Sequence, residues 1–196
     1  MRIFLEKNNC QGRPAAFLDR DGTINRNIRG EYIVSPNQFD FYKYSIPALR
    51  LMTEKGYQII VLSNHSGIGR GYMSLETAKE INLGMAMKFR QEGIAISGIY
   101  ICPHLPNEGC ACRKPLIGML NEAINDLSPD LHHSFIAGDS SGDLKLAKAA
   151  GLPGYLVLTG AGRYTAQKHS EAKKYGTLLA LSKDIPDMSA ESKDQT

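Results

Sequence analysis

The 196-residue sequence predicts an α/β fold, a mostly parallel sheet covered by helices on both faces. Two observations carry that prediction. Short apolar runs end in turn residues, and the segments between them repeat apolar residues every three or four positions, the helical period. Strands separated by helices imply right-handed crossovers and therefore parallel pairing.

The elements follow in order along the chain. Ala15–Asp19 (AAFLD) is a buried strand running into the turn residues DGT. A helix over Pro47–Gly56 closes on its glycine. Gln58–Asn64 (QIIVLSN) is the second strand, followed by the turn-rich HSGIGRG. The helix from Ser74 carries Leu75, Ala78, Ile81, Met85 and Phe89 on one stripe. Gly98–Cys102 is the third strand, and Pro115 is placed as the first residue of a helix striped by Ile117, Leu120, Ile124 and Leu127. Ser134–Asp139 is the fourth strand. A helix through Leu144, Leu146 and Ala149 ends at Gly151, and Tyr155–Gly160 is the fifth strand. Residues 1–185 are expected to form one domain and 186–196 a disordered polar tail.

In parallel sheets ligands bind beyond the carboxyl ends of the strands. Asp19, Ser63, Cys102 and Asp139 all fall there, so four separate regions should meet at one sheet edge.

Composition narrows the class. With 42% hydrophobic residues the chain can build a core, and 23 basic against 20 acidic residues leave a net charge of only +3. That balance advertises neither a nucleic-acid nor a membrane partner. No run of eighteen apolar residues occurs, so a cytoplasmic protein with reduced cysteines is expected. Cys10 has no partner in view and reads as a free thiol, and His132 and His133 read as surface residues. Met85 and Met87 suggest packing.

Cys102-x-His104, then Cys110-x-Cys112, offer four soft or borderline ligands in two close pairs, which suits one tetrahedral Zn²⁺. All four positions being protein atoms, the ion is structural and orders a loop. Arg113 and Lys114 follow the last ligand directly, so the clamp should pin Lys114 and aim Arg113 into the cleft.

DRDGT (Asp19–Thr23), the Ser63–Asn64 pair, Lys114 and GDSSGD (Gly138–Asp143) resemble, in order, the four motifs of the haloacid-dehalogenase superfamily. The resemblance spans roughly Ala15 to Gly160 and implies a Rossmann-like three-layer sandwich. Asp19 can attack phosphorus as a carboxylate nucleophile. Asp21 can protonate the leaving alkoxide and later deprotonate the hydrolytic water. An anionic nucleophile meeting an anionic phosphate needs a cation, most naturally Mg²⁺. By resemblance its ligands are the Asp19 and Asp139 carboxylates and the Asp21 carbonyl. Lys114 and the Ser63 hydroxyl would neutralise and hold the phosphoryl group, with Asp143 supporting the metal shell or orienting Lys114. Any one of these acids alone is also an ordinary cap or turn former, but capping does not call for the ordered set.

The zinc loop is similar to that of the heptose-bisphosphate and histidinol-phosphate phosphatases, which lack a large cap domain. DRDGTIN and SGIGRG (Ser66–Gly71) favour the heptose family, which removes the 7-phosphate of D-glycero-D-manno-heptose 1,7-bisphosphate on the way to lipopolysaccharide or nucleotide-heptose. CPHLP and CxCRKP keep histidinol phosphate as the alternative, and a nucleic-acid 3′-end phosphatase stands further off. Asn64, His65, Ser66, Arg70, Arg113 and Ser140 are the candidate substrate contacts, with Arg113 and Arg70 for the second phosphate. His65 stands where the family has glutamine, and Ser140 where a lysine is common. The expected partner is one small phosphorylated sugar, and nothing demands more than a monomer.

Overall fold

The computed structural model describes residues 1–6, 11–27 and 31–190. The chain runs β1 (Arg2–Leu5), β2 (Pro14–Leu18), a 3₁₀ turn (Pro36–Gln38), α1 (Ser45–Glu54), β3 (Gln58–Asn64), α2 (Ser66–Gly69), α3 (Leu75–Gln91) and β4 (Ile96–Cys102). It continues through α4 (Gly118–Leu127), β5 (Asp130–Gly138), α5 (Ser141–Ala150), β6 (Gly154–Val157), α6 (Gly162–Lys168), β7 (Lys173–Tyr175) and α7 (Leu178–Asp184).

The seven strands form one sheet in the order β1-β4-β3-β2-β5-β6-β7. All pairs are parallel except β1 against β4. The pleat divides the core in two. Ala16, Leu18, Ile59 and Val61 pack with α1, α3 and α7 on one face. Ala15, Phe17, Ile60 and Leu62 pack with α4 and α5 on the other. Continuous apolar runs are what a sheet buried on both sides requires, and the three layers match the expectation. Ser74 caps α3 by accepting from the Thr77 amide.

Some boundaries differ. Pro115 does not open a helix: α4 begins at Gly118, because Asn64 holds the backbone of Lys114 in another course (below). Ile117 is correspondingly exposed, and Met119, Leu120, Ala123 and Leu127 carry the buried stripe. Met85 is core as expected, but Met87 is 64% exposed on the outer side of α3. His132 and His133 lie within β5, on its exposed first half. The polar tail starts later than Pro186: Met188 is buried and its amide donates to the Lys55 carbonyl. Residues 191–196 and Cys10, the expected free thiol, lie outside the described residues.

Candidate active site

The four central strands, β4, β3, β2 and β5, lie side by side, so their carboxyl ends bring Cys102, Ser63–Asn64, Asp19 and Asp139 to one edge. There a cleft of about 170 Å³ is lined by Asp19, Asp21, Ser63, His65, Lys114 and Asp139, among others.

Asp19 leaves β2 buried, and the next residues turn sharply, the amide of Ile24 donating to the Arg20 carbonyl. Gly22 has φ +89°, and a Cβ there would overlap the Asp139 carboxylate and crowd Gly160. Only glycine lets this turn approach the end of β5 so closely.

Lys114 joins the regions. Its Nζ donates to Asp19 Oδ1 (2.6 Å), Asp143 Oδ1 (2.7 Å) and the Leu62 carbonyl (2.6 Å). Burial works against this charge, but Asp143 and Asp19 more than offset it and raise the lysine's pKa. Lys114 is therefore a fixed cation. Its backbone is fixed too: Asn64 Oδ1 accepts from the Lys114 amide (3.0 Å) and Asn64 Nδ2 donates to the Lys114 carbonyl (3.1 Å). Both ends of the Asn64 amide are thus engaged with the protein, so this side chain, expected on substrate, is placed as a clamp on the lysine.

Asp143 sits at the third position of α5. Its Oδ2 accepts from the Ser140 amide (3.0 Å) and hydroxyl (2.6 Å), a capping box. Ser140, a candidate substrate contact, spends its hydroxyl on this cap. Asp143 therefore orients Lys114 with one oxygen and starts a helix with the other.

Asp19, Asp139 and Asp143 offer carboxylate oxygens all within 4.8 Å of one another. Burial, then in part mutual repulsion, pushes Asp19 up to about 7 and Asp139 up to about 8. Two buried acids driven this far form a donor set that a cation would relieve, and hard oxygen donors fit Mg²⁺. Asp139 Oδ2 also accepts from the Ala161 amide (2.7 Å), and Thr159 Oγ1 donates to the Gly22 carbonyl (2.5 Å). The TGAGR turn thus borders the site by holding a carboxylate and the DGT turn.

Asp21 has the opposite environment. Burial would raise it, but the Arg20 charge and the hydrogen bonds from Arg20 and Asn25 prevail and hold it below the usual carboxylate range. His65 is buried, and its Nε2 meets no hydrogen-bond partner. Burial and the neighbouring Arg20 keep its imidazole neutral, with a pKa of about 3. Ser66 Oγ is 3.3 Å from the hydroxyl of Tyr32, a cleft-lining residue that also accepts from Arg70 Nε (3.1 Å).

Beside this cleft the four soft ligands converge. Cys102 Sγ lies 3.6 Å from both His104 Nδ1 and Cys110 Sγ, and His104 Nδ1 lies 3.3 Å from Cys112 Sγ. A disulfide needs sulfurs about 2.0 Å apart. A tetrahedral ion with Zn–S of about 2.3 Å and Zn–N of about 2.0 Å spaces its ligand atoms roughly 3.5–3.8 Å apart, close to what is found. The set fits zinc. Arg113 Nη1 donates to the His104 carbonyl (3.2 Å), and its charge also acts on Tyr32, which lines the cleft. The Arg113 side chain lines a neighbouring hollow of about 310 Å³ with Pro106, Gly109 and Leu116.

Arg20, Asn25, Tyr32 and the Ala161 amide were not foreseen. For Arg20 a signal existed, since a basic residue between two acids of one turn has a partner at hand.

The comparisons agree with this geometry. A family model described as "HAD-hyrolase-like" matches residues 111–181. A Thermoplasma acidophilum protein named a probable D-glycero-D-manno-heptose-1,7-bisphosphate 7-phosphatase is 40% identical over 158 residues, covering 80% of this chain and 97% of the relative. A Neisseria meningitidis D-glycero-beta-D-manno-heptose-1,7-bisphosphate 7-phosphatase is 35% identical over 173 residues, 86% of this chain and 92% of that one. The crystal structure of D,D-heptose 1,7-bisphosphate phosphatase from B. bronchiseptica, complexed with magnesium and phosphate, superposes with a TM-score of 0.82. Its identity is 31%, with 88% of this chain and 97% of that chain covered. By motif order, fold and relatives alike, the chain belongs to the heptose-1,7-bisphosphate 7-phosphatase family of haloacid-dehalogenase-like hydrolases.

Proposed function

We propose that this protein hydrolyses the 7-phosphate of a heptose 1,7-bisphosphate through an aspartyl-phosphate on Asp19. The observation that carries the chemistry is Lys114, held at 2.6 Å from Asp19 and 2.7 Å from Asp143 at the carboxyl end of the sheet. The substrate is inferred from the relatives' names.

Asp19 supplies the attacking oxygen: a bond forms from its carboxylate to phosphorus as the ester P–O bond breaks. Asp21, which must take up a proton in the substrate complex because Arg20 holds it ionised beforehand, delivers that proton to the departing sugar oxygen, giving the alcohol. It then takes a proton from the water that attacks the acyl phosphate, which restores Asp19 and releases inorganic phosphate. Lys114 neutralises phosphoryl oxygens and, bonded to Asp19, aims the nucleophile and works against the burial that favours its protonated form. The Ser63 hydroxyl and neighbouring amides donate to the same oxygens. Asp19, Asp139 and the Asp21 carbonyl would hold Mg²⁺, which when bound offsets the crowded negative charge of nucleophile and phosphate. Cys102, His104, Cys110 and Cys112 would hold a structural zinc that secures the segment carrying Lys114.

For recognition, Ser66 and Arg70 both bond Tyr32, which lines the cleft, and they suit the distal phosphate or sugar hydroxyls. The buried, unpartnered Nε2 of His65 offers one further hydrogen bond. Arg113 would have to leave the His104 carbonyl to join them.

The test is phosphate release, with Mg²⁺, from heptose 1,7-bisphosphate, histidinol phosphate and a 3′-phosphorylated oligonucleotide in parallel. A higher kcat/KM on the bisphosphate is expected. Preference for histidinol phosphate would move the substrate but keep the chemistry, and no turnover of any would reject both.

A further inference from the structure

Arg20 lies between the two acids of the DRDGT turn, and its side chain is 1% exposed. Its guanidinium is spread over a defined set of partners. Nε donates to Asp21 Oδ1 (3.1 Å), and Nη2 reaches Asp21 Oδ1 (2.9 Å) and Oδ2 (2.8 Å). Nη1 donates to Asn82 Oδ1 (3.2 Å). Asn82 is fully buried on the core face of α3 and donates in turn to the Ala78 carbonyl (2.7 Å). The guanidinium also faces the Phe39 ring, 5.7 Å from its centroid.

With the guanidinium buried and the Asp21 side chain 21% exposed, the pair is weak evidence of a stabilising contact. Its desolvation cost roughly cancels its attraction, and an apolar replacement of the same shape is commonly as stable. A rigid fork that grips a carboxylate in its plane supplies direction instead.

The two oxygens of Asp21 are not equivalent in this grip. Oδ1 accepts from Arg20 Nε, from Arg20 Nη2 and from Asn25 Nδ2 (3.0 Å), whereas Oδ2 accepts from Nη2 alone. Three donors saturate Oδ1, and Oδ2 keeps open lone-pair directions. We propose that Arg20, anchored to α3 through Asn82, is a positioning residue for the reaction, fixing Asp21 so that Oδ2 is the atom that exchanges the proton with the leaving oxygen. This rests on the reading of Asp21 as acid and base.

In the first half-reaction the proton passes from Oδ2 to the sugar oxygen as the P–O bond breaks. In the second, Oδ2 receives a proton from the attacking water. The fork to Arg20 persists through both, because its in-plane contacts lie mainly on the other oxygen. A merely structural Arg20 would affect all substrates alike. A positioning Arg20 matters only where the leaving group needs a proton.

The experiment compares the first turnover of the magnesium-loaded protein on heptose 1,7-bisphosphate with that on 2,4-dinitrophenyl phosphate, whose phenolate departs unprotonated. Reading the first turnover isolates the step before the acyl phosphate is hydrolysed. Arg20→Lys keeps a charge and loses the fork. It should slow release of the sugar about 100-fold, the usual share of a placed general acid, while dinitrophenolate release changes by less than about 3-fold and KM holds. Equal losses on both substrates, or a loss confined to KM, would overturn the proposal.

Asn82→Leu removes only the anchor and covers the case in which the arginine variant fails to fold. It should show the same selectivity at roughly 10-fold, and a loss without selectivity counts against the idea equally. Asp21→Asn separates the two readings. If it is selective and the arginine and asparagine variants are not, only the role of Arg20 falls. If Asp21→Asn slows both substrates alike, the acid role of Asp21 falls first.

Discussion

Two clusters of metal-ligating side chains sit side by side at the carboxyl edge of the sheet, and they are built in opposite ways. The acidic one takes Asp19 from β2 and Asp139 and Asp143 from the end of β5 and the start of α5. Those parts are placed by sheet pairing and two apolar cores, so the cluster exists whether or not an ion is there, and its repulsion is stored in Asp19 and Asp139. The other takes all four ligands from Cys102 to Cys112, within eleven residues, ten of them past the end of β4. That loop has no strand and no helix of its own, and an ion would supply most of its order. The first cluster is organised by the fold and performs chemistry. The second, with a zinc bound, would organise a loop and through Arg113 and Lys114 hand that order to the first.

The comparison is broken most severely at Asp19. Asp19→Asn keeps the shape of the side chain and removes the nucleophile, so phosphate release should fall at least about 10³-fold while the protein remains folded. Steady-state kinetics with a thermal melt checks this, and retained turnover would end the covalent mechanism. Cys112→Ser comes next. It should lose the zinc measured by elemental analysis and lower kcat by about 10- to 100-fold, the range seen when support of a site is removed, with the global melting transition kept. Loss of zinc at full activity would show that the clamp does not serve Lys114.

The same contrast sets the pH dependence of stability. Asp19 and Asp139 are raised to about 7 and about 8, and unfolded carboxylates titrate near 4. Between those limits the magnesium-free folded state holds protons that the unfolded chain has released. Stability is therefore fully present below pH 4 for these groups and falls as pH rises towards 8. The acids titrate together, so the loss belongs to the pair and not to either residue. Urea midpoints in magnesium-free buffer without chelator should drop from pH 5 to pH 8, and Mg²⁺ should restore more at pH 8. A midpoint that rises over this window would contradict the crowded acidic cluster.

Much of this was legible in the sequence because strand ends are. Asp19, Ser63, Cys102 and Asp139 each close an apolar run, and sheet topology alone makes such ends neighbours. The zinc ligands were legible because they are local. What escaped depends on contacts at long separation or on side-chain direction. Arg2–Leu5 pairs antiparallel at the sheet edge with its side chains only half buried, so no apolar alternation marks it. Lys173–Tyr175 is three residues with two charges. Arg113 was read as pointing into the cleft, because sequence gives position along the chain and not the His104 carbonyl that captures its guanidinium. Ser140 shows the same gap in reverse: its capping box with Asp143 was written in the sequence as S-x-x-D and was outweighed by its place beside a catalytic motif.

The sharpest test of how order passes between the clusters is also the gentlest. Asn64 stands at the end of β3, fifty residues from Lys114, and exchanges two hydrogen bonds with the lysine's backbone. Asn64 fixes this segment from the sheet side, and a zinc-bound loop would fix it from the other, so either alone would leave Lys114 roughly placed. Asn64→Ala removes two ordinary hydrogen bonds, each worth about 1 kcal/mol, and no charge. It should lower kcat about 10-fold, leave KM and zinc content unchanged, and combine with Cys112→Ser more than additively, since each variant removes the other's backup. If Asn64 touched substrate instead, KM would carry the loss and the double variant would be additive. Strict additivity with unchanged KM would mean that the zinc loop and the sheet position Lys114 independently.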